Sequence, residues 1–247
     1  MDLREHPHAG PRRHPWEVAR AAFFLDVLRE GGGLDRVRTV LDVGAGDAWL
    51  ARTLRDGCAP AARLVCWDAH YDDAWLARSD EGCTFTREAP EMPADLVLAL
   101  DVAEHVDDDR AFLRDVAARV APGGRLLFSV PAWPWLFSGH DVALGHHRRY
   151  TPAAARALLE GAGLRINRSG GLFHSLLLPR AAQRLVQRLR PVLDAPAATS
   201  LAWSGGAALS AALGAALHLD NRVSRLAAAR AIPLPGLSWW ALCHPTP

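Results

Sequence analysis

Short apolar runs alternate along the chain with longer stretches in which apolar residues recur every three or four positions. Trp16, Ala19, Phe23 and Val27 share one face of a first predicted helix. Pro15 suits its opening position, and Gly31, Gly32 and Gly33 stop it. The apolar runs are Thr39–Val43, Arg63–Trp67, Thr84–Arg87, Asp95–Leu100 and Arg125–Val130. They are nearly continuous and rich in β-branched residues and leucine, as parallel strands buried on both faces are. Between the last two, Phe112, Leu113, Val116 and Val120 mark a helix over Asp107–Val120, ended by Pro122, Gly123 and Gly124. Thr151 and Pro152 open another helix, and Leu164–Ser169 reads as a sixth strand. Residues 172–230 read as helical, and Leu237–Cys243 as a final strand. This alternation predicts a doubly wound α/β fold.

Composition narrows the picture. The 247 residues, half of them apolar, fit one large domain preceded by a disordered arm at 1–13. A net charge of +1 offers no electrostatic footprint for nucleic acid, so none is expected as a partner. All 28 basic residues are arginine. That excludes a phosphate-loop lysine and Schiff-base chemistry. Cys58, Cys66, Cys83 and Cys243 form no C-x-x-C pair and read as free thiols in a reducing compartment. The polar amino-terminal stretch has no signal-peptide core, so a cytoplasmic location is expected.

Candidate chemistry begins where the first strand meets a helix. Asp42, Gly44 and Gly46 form a glycine turn, in which backbone N–H groups can approach a ligand unhindered by a Cβ. A dinucleotide fingerprint would require glycine at position 49, where Trp49 stands. Asp68 closes the second strand about 22 residues after Gly46. Further on come Asp101, Glu104 and His105 after the fourth strand, and His140, Asp141, His146 and His147 after the fifth. Chain topology brings both polar groups to one rim of the sheet.

The glycine turn, the block Asp95–His105, the Pro122–Gly124 break and the strand ending at Pro131 together resemble the class I S-adenosylmethionine-dependent methyltransferase superfamily. They are most like its small-molecule or lipid branch, often labelled type 11, 12 or 23. His14–Glu17 and Gly145–Thr151 resemble segments of a bacterial subgroup there, and the likeness covers roughly residues 14–170. It implies one domain over 14–247 with a mixed seven-strand sheet, order 3-2-1-4-5-7-6, and helices on both faces. Its parts would be a cap helix at 14–33, a cofactor-binding core at 37–171, a helical insertion at 172–230 and the last strand at 237–244. In such proteins the turn, here Asp42, Gly44, Ala45 and Gly46, wraps the methionine portion of S-adenosylmethionine. Asp68 would accept from the ribose hydroxyls, Ala69 would lie beside the adenosine, and Asp101 would complete the cofactor set.

Several roles stay open at this level. His105 or His146, with Glu104, could act in general-base catalysis. Alternatively Asp101, Glu104, His105 and His146 could hold a divalent metal. That spacing resembles small-RNA 2′-O-methyltransferases and ubiquinone-pathway O-methyltransferases, which carry a glutamate where Asp101 stands. Glu104 and His105 could equally just cap a helix. Arg148 and Arg149 could clamp an acceptor carboxylate or phosphate, or form surface ion pairs. Trp133, with Trp135 and Phe137, could wall an acceptor pocket, and Tyr150 could position the acceptor, or all could be core. In 172–230, Arg180, Arg184 and Arg188 recur opposite Leu178, Leu185 and Leu189, a basic amphipathic pattern. It suits peripheral membrane contact, a lid or a homodimer surface. The expected activity is methyl transfer to a small-molecule or lipid-linked acceptor, at oxygen. Rivals are metal-dependent 2′-O-methylation of RNA and a non-catalytic cofactor-binding module.

Overall fold

The computed structural model describes residues 13–78, 82–190 and 205–246. Residues 1–12 of the expected amino-terminal arm, and 191–204 of the expected helical region, lie outside them. Seven strands, β1 (Thr39–Val43), β2 (Arg63–Trp67), β3 (Cys83–Thr86), β4 (Ala94–Leu100), β5 (Val120–Pro131), β6 (Leu164–Leu172) and β7 (Ser238–Pro245), form one sheet. Its order is β3-β2-β1-β4-β5-β7-β6, with β7 antiparallel to both neighbours and the other pairs parallel. This is the expected mixed sheet.

Strand periodicity explains the two-sided core. Leu96 and Leu98 of β4 join an apolar cluster on one face, and Val97 and Ala99 join a second on the other. Trp240 and Trp239 of β7 separate in the same way. The first cluster includes Phe23, Phe24 and Val27 of helix α1 (Pro15–Glu30) and Leu54 of α2 (Trp49–Arg55). The second includes Leu113 and Val116 of α4 (Asp109–Ala118) and Leu159 of α6 (Pro152–Gly161). Two short helices, α3 (Asp73–Leu76) and α5 (Gly139–Ala143), sit in the connections.

Boundaries differ from expectation where capping or pairing decides. Helix α4 starts at Asp109 because Asp108 caps it, its side chain accepting from Ala111 N at 2.9 Å. Pro122, Gly123 and Gly124 lie inside β5 rather than ahead of it, because Val120 already pairs with Ala94 across an irregularity in the ladder.

The expected helical insertion contains α7 (His174–Leu189) and α8 (Ala207–Ala229). Helix α8 packs against α1, where Asn221 donates to the Ala19 carbonyl at 2.7 Å. Arg225 pairs with Asp26 and Glu30 of the same helix. Helix α7 meets α8 through the Ser175 hydroxyl, which donates to Asp220 at 3.1 Å. Among the described residues, no helix is long and apolar enough to cross a membrane.

Candidate active site

The carboxyl ends of β1, β2 and β4 converge on one cavity of about 350 Å³, lined on one side by Val43, Gly44, Trp67, Asp68, Ala69 and His70. Asp101, Val102, His105, Phe112, Gly145 and His147 are among the residues closing the other side. Gly44 has φ +64°, and a Cβ there would meet Val102 Cγ2 at 2.6 Å, so only glycine keeps the turn this close. Gly46 N donates to Asp68 Oδ2 at 3.0 Å, and His70 N donates to Oδ1 at 2.9 Å. The glycine turn and the β2 acid are thereby one hydrogen-bonded unit. The Tyr71 hydroxyl donates to the Gly46 carbonyl at 2.8 Å and buttresses it. Ala48, two residues past Gly46, holds φ +58°, a left-handed conformation an L-residue adopts at a cost.

At the turn's other end a small pocket is lined by Glu17, Arg20, Asp42, Gly44, Ala45 and Asp47, among others. Burial pushes the Asp42 carboxyl up to about 7, and Asp47 and Asp68 add to the rise. Arg20 reaches Asp101 Oδ2 at 2.5 Å, and Ser129 Oγ donates to Asp101 Oδ1 at 3.0 Å. Asp101 itself sits at φ +57°. Arg20, Glu17 and Tyr71 went unnoticed in the sequence. The available signal was two charged residues, Glu17 and Arg20, set among the apolar residues Trp16, Ala19 and Phe23 of the first predicted helix.

The second polar group forms around α5. Ligand atoms of Glu104, His105 and His146 lie within 4.8 Å of one another, and the two imidazoles meet edge to face at 4.7 Å. Both Glu104 carboxylate oxygens are buried without a hydrogen-bond partner among the described residues. Burial, reinforced by the Asp101 carboxylate, raises the Glu104 carboxyl well above its ordinary range. Behind this trio, Asp141 is fully buried. It accepts from Arg149 Nε at 2.7 Å, from Ser138 N at 3.0 Å, and lies 3.0 Å from His146 Nδ1. Burial pushes the Asp141 carboxyl up, but His146 and Arg149 outweigh it and hold it well below the usual carboxylate range.

Two expectations are corrected by this geometry. Asp101 does not join the Glu104, His105 and His146 cluster, because Arg20 and Ser129 claim its carboxylate. The proposed arginine clamp is an internal strut. Arg149 binds Asp141 and the Ala132 carbonyl, and Arg148 binds Asp109 and the Asp107 carbonyl. Tyr150 is buried, its hydroxyl 2.9 Å from Asp109 Oδ2 and 3.1 Å from the Ala103 carbonyl, which matches the core alternative. Trp133 donates from Nε1 to the Gly236 carbonyl at 2.7 Å, while Trp135 beside it is exposed.

A family model described as a methyltransferase domain matches residues 16–169. A Mycolicibacterium smegmatis protein named for S-adenosylmethionine-dependent methyl transfer is 30% identical over 176 residues, covering 64% of this chain and 66% of that one. A ubiquinone biosynthesis O-methyltransferase from Methylobacterium nodulans is 29% identical over 201 residues, covering 68% of this chain and 80% of that one. The chain spans just under two thirds of the Mycolicibacterium smegmatis relative and 56% of a Mycobacterium avium methyltransferase. Among solved structures, an S-adenosylmethionine dependent methyltransferase from Mesorhizobium loti aligns with TM-score 0.53 at 16% identity, over 91% of this chain and 99% of that one. That likeness speaks for the fold.

Proposed function

Because this chain belongs to the class I S-adenosylmethionine-dependent methyltransferases, we propose that it methylates an oxygen of a small-molecule or lipid-like acceptor. The observation that carries this reading is the unit of Asp68 and the glycine turn, set in the wall of the cavity that also holds His105. The bound cofactor supplies a methyl group already activated on a sulfonium. What remains for the protein is alignment and, for a hydroxyl acceptor, removal of a proton.

The residues present suit that cofactor. Gly44 and Ala45 line the sites beside the turn. Asp68, already accepting two backbone N–H bonds, has further lone pairs for ribose hydroxyls. Trp67, Val102 and Phe112 offer apolar surface for a flat ring beside Ala69. For proton removal we favour His146. Its contact with Asp141 sets the proton on Nδ1 and leaves Nε2 as the acceptor. An acceptor at oxygen is supported by the Methylobacterium nodulans relative, whose name specifies O-methyl transfer.

Calorimetric titration with S-adenosylmethionine tests the core of this reading. We expect Asp68→Ala to weaken binding by roughly ten- to a hundredfold, the value of one to two charge-assisted hydrogen bonds. Equal affinity for variant and parent would overturn the cofactor assignment. Labelled methyl donor incubated with cell extract would then reveal the acceptor class.

A second reading of the same rim is favoured by Glu104. A buried carboxyl without a partner, grouped with two imidazoles, is also a candidate seat for a divalent cation. Asp141 behind His146 would be the carboxylate that orients a ligating histidine. Titration with Mn²⁺ decides between them. A metal site requires binding that Glu104→Gln weakens at least about tenfold. No binding to the parent protein leaves His146 as a base alone.

A further inference from the structure

Helix α7 is mounted opposite to the usual amphipathic arrangement. Its arginine side faces the protein: Arg180 donates to Ser138 Oγ at 2.7 Å, and Arg188 donates to the Trp135 carbonyl at 2.8 Å. Its leucine side faces out, with Leu178, Leu185 and Leu189 at 78%, 60% and 75% exposure, and Val186 is exposed beside them. None of the helix's residues is buried. Helix α8, packed against it, also turns apolar residues outward: Leu209, Leu219, Val223 and Leu226, with Ile232 just beyond its end. Nine of the thirteen exposed large apolar residues among the described ones lie on these two helices or just past α8, more than a soluble surface scatters singly.

Charge selects the occupant. Helix α7 contains no acid at all, and the one acid of α8, Asp220, is buried against Ser175. Apart from Arg188, whose guanidinium bonds the Trp135 carbonyl, the exposed charged residues along this pair are Arg190, Arg222 and Arg230. A second copy of the chain docking here would bring one all-arginine face against another. An anionic lipid surface supplies the opposite charge together with an apolar layer for the leucines. No described helix can span a bilayer, which fits a helix lying in the interface. We infer that the outward face of α7 and α8 docks this protein on anionic membranes. The contacts of Arg180 and Arg188 join that face to the Trp135–Ser138 segment leading to α5 and His146. Docking would hold the protein at the lipid surface, where a lipid-like acceptor resides. Docking itself depends on neither the acceptor nor the cofactor.

The test is flotation of the full chain with phosphatidylcholine vesicles, with and without 30 mol% phosphatidylglycerol, an anionic content about that of charged natural leaflets. We expect binding to the anionic vesicles only. Leu185→Glu with Leu189→Glu should weaken it by at least roughly a hundredfold, because two apolar anchors are lost. Arg222→Gln with Arg230→Gln should weaken it by roughly thirtyfold. All four positions are exposed, so thermal unfolding and cofactor titration should match the parent and keep a folding defect or a failed cofactor assignment distinguishable. A parent chain that stays unbound, or a leucine variant that floats as well as the parent, would overturn the inference. So would a parent dimer by light scattering that the leucine variant abolishes, since the face would then belong to a second copy.

Discussion

In the sheet, Leu96 and Leu98 turn to one face, Val97 and Ala99 to the other, and all four are buried. In α7, Leu178, Leu185 and Leu189 share one face, and all three stand in solvent. The polar groups invert in step. Around α5 the buried charges of Asp141 and Arg149 satisfy each other inside the fold. On α8 and just past α7 the arginines Arg222, Arg230 and Arg190 look outward. One chain thus contains a region where Asp141 and Arg149 answer each other internally and another whose outward leucine face is answered by nothing in the described fold. Stability should reside almost wholly in the first.

The largest expected effect lies in that first region. Asp141 is the shared acceptor of Arg149, Ser138 and His146, and the side chain of Arg149 is itself almost fully enclosed. Asp141→Asn leaves a buried guanidinium without its countercharge, which costs about 3–5 kcal/mol. The sign with pH follows from the depressed carboxyl. Its contribution is complete above the ordinary aspartate value of about 4. It is lost as pH falls through the lower folded value. Urea unfolding at pH 7 and pH 3 should therefore show parent and variant converging in acid. A variant as stable as the parent at pH 7 would mean the cluster is not the anchor its geometry implies.

The two regions also differed in how readily the sequence disclosed them. Strand runs and turn residues pointed to the alternating α/β class because continuous Val and Leu runs suit strands buried on both faces, while the strand order was implied by the family resemblance. The glycine turn and Asp68 were legible because Gly44 and the strand-end acid follow from local backbone needs and chain spacing. Arg149 stayed open between a clamp and an ion pair because an arginine after two histidines looks the same in sequence whether it faces a substrate or a buried aspartate. Its partner, Asp141, lies eight residues away on a different element. The pairing that keeps Asp101 out of the Glu104, His105 and His146 cluster was illegible for a similar reason: its partner Arg20 comes from α1, far back in the chain. Periodicity marked α7 as amphipathic but could not say which face would meet the protein. That is decided by Ser138 and the Trp135 carbonyl, polar groups that only the folded chain brings beneath the helix.

The smallest expected effect isolates that inversion. Leu98 is completely buried between its neighbours in the sheet, so Leu98→Ala removes packed atoms and leaves a cavity. Such truncations cost about 2–5 kcal/mol. Leu185→Ala deletes the same atoms from a side chain 60% exposed, where little apolar area is recovered from water on folding. Alanine is also the better helix former by a small margin. The net change should fall within about 0.5 kcal/mol of zero, as for ordinary surface positions. Paired urea unfolding curves measure both. A cost at Leu185 approaching that at Leu98 would show that its outward face is covered within the protein itself. Near-zero cost, with vesicle binding lost in the glutamate variants, would assign the leucine face to a surface outside it.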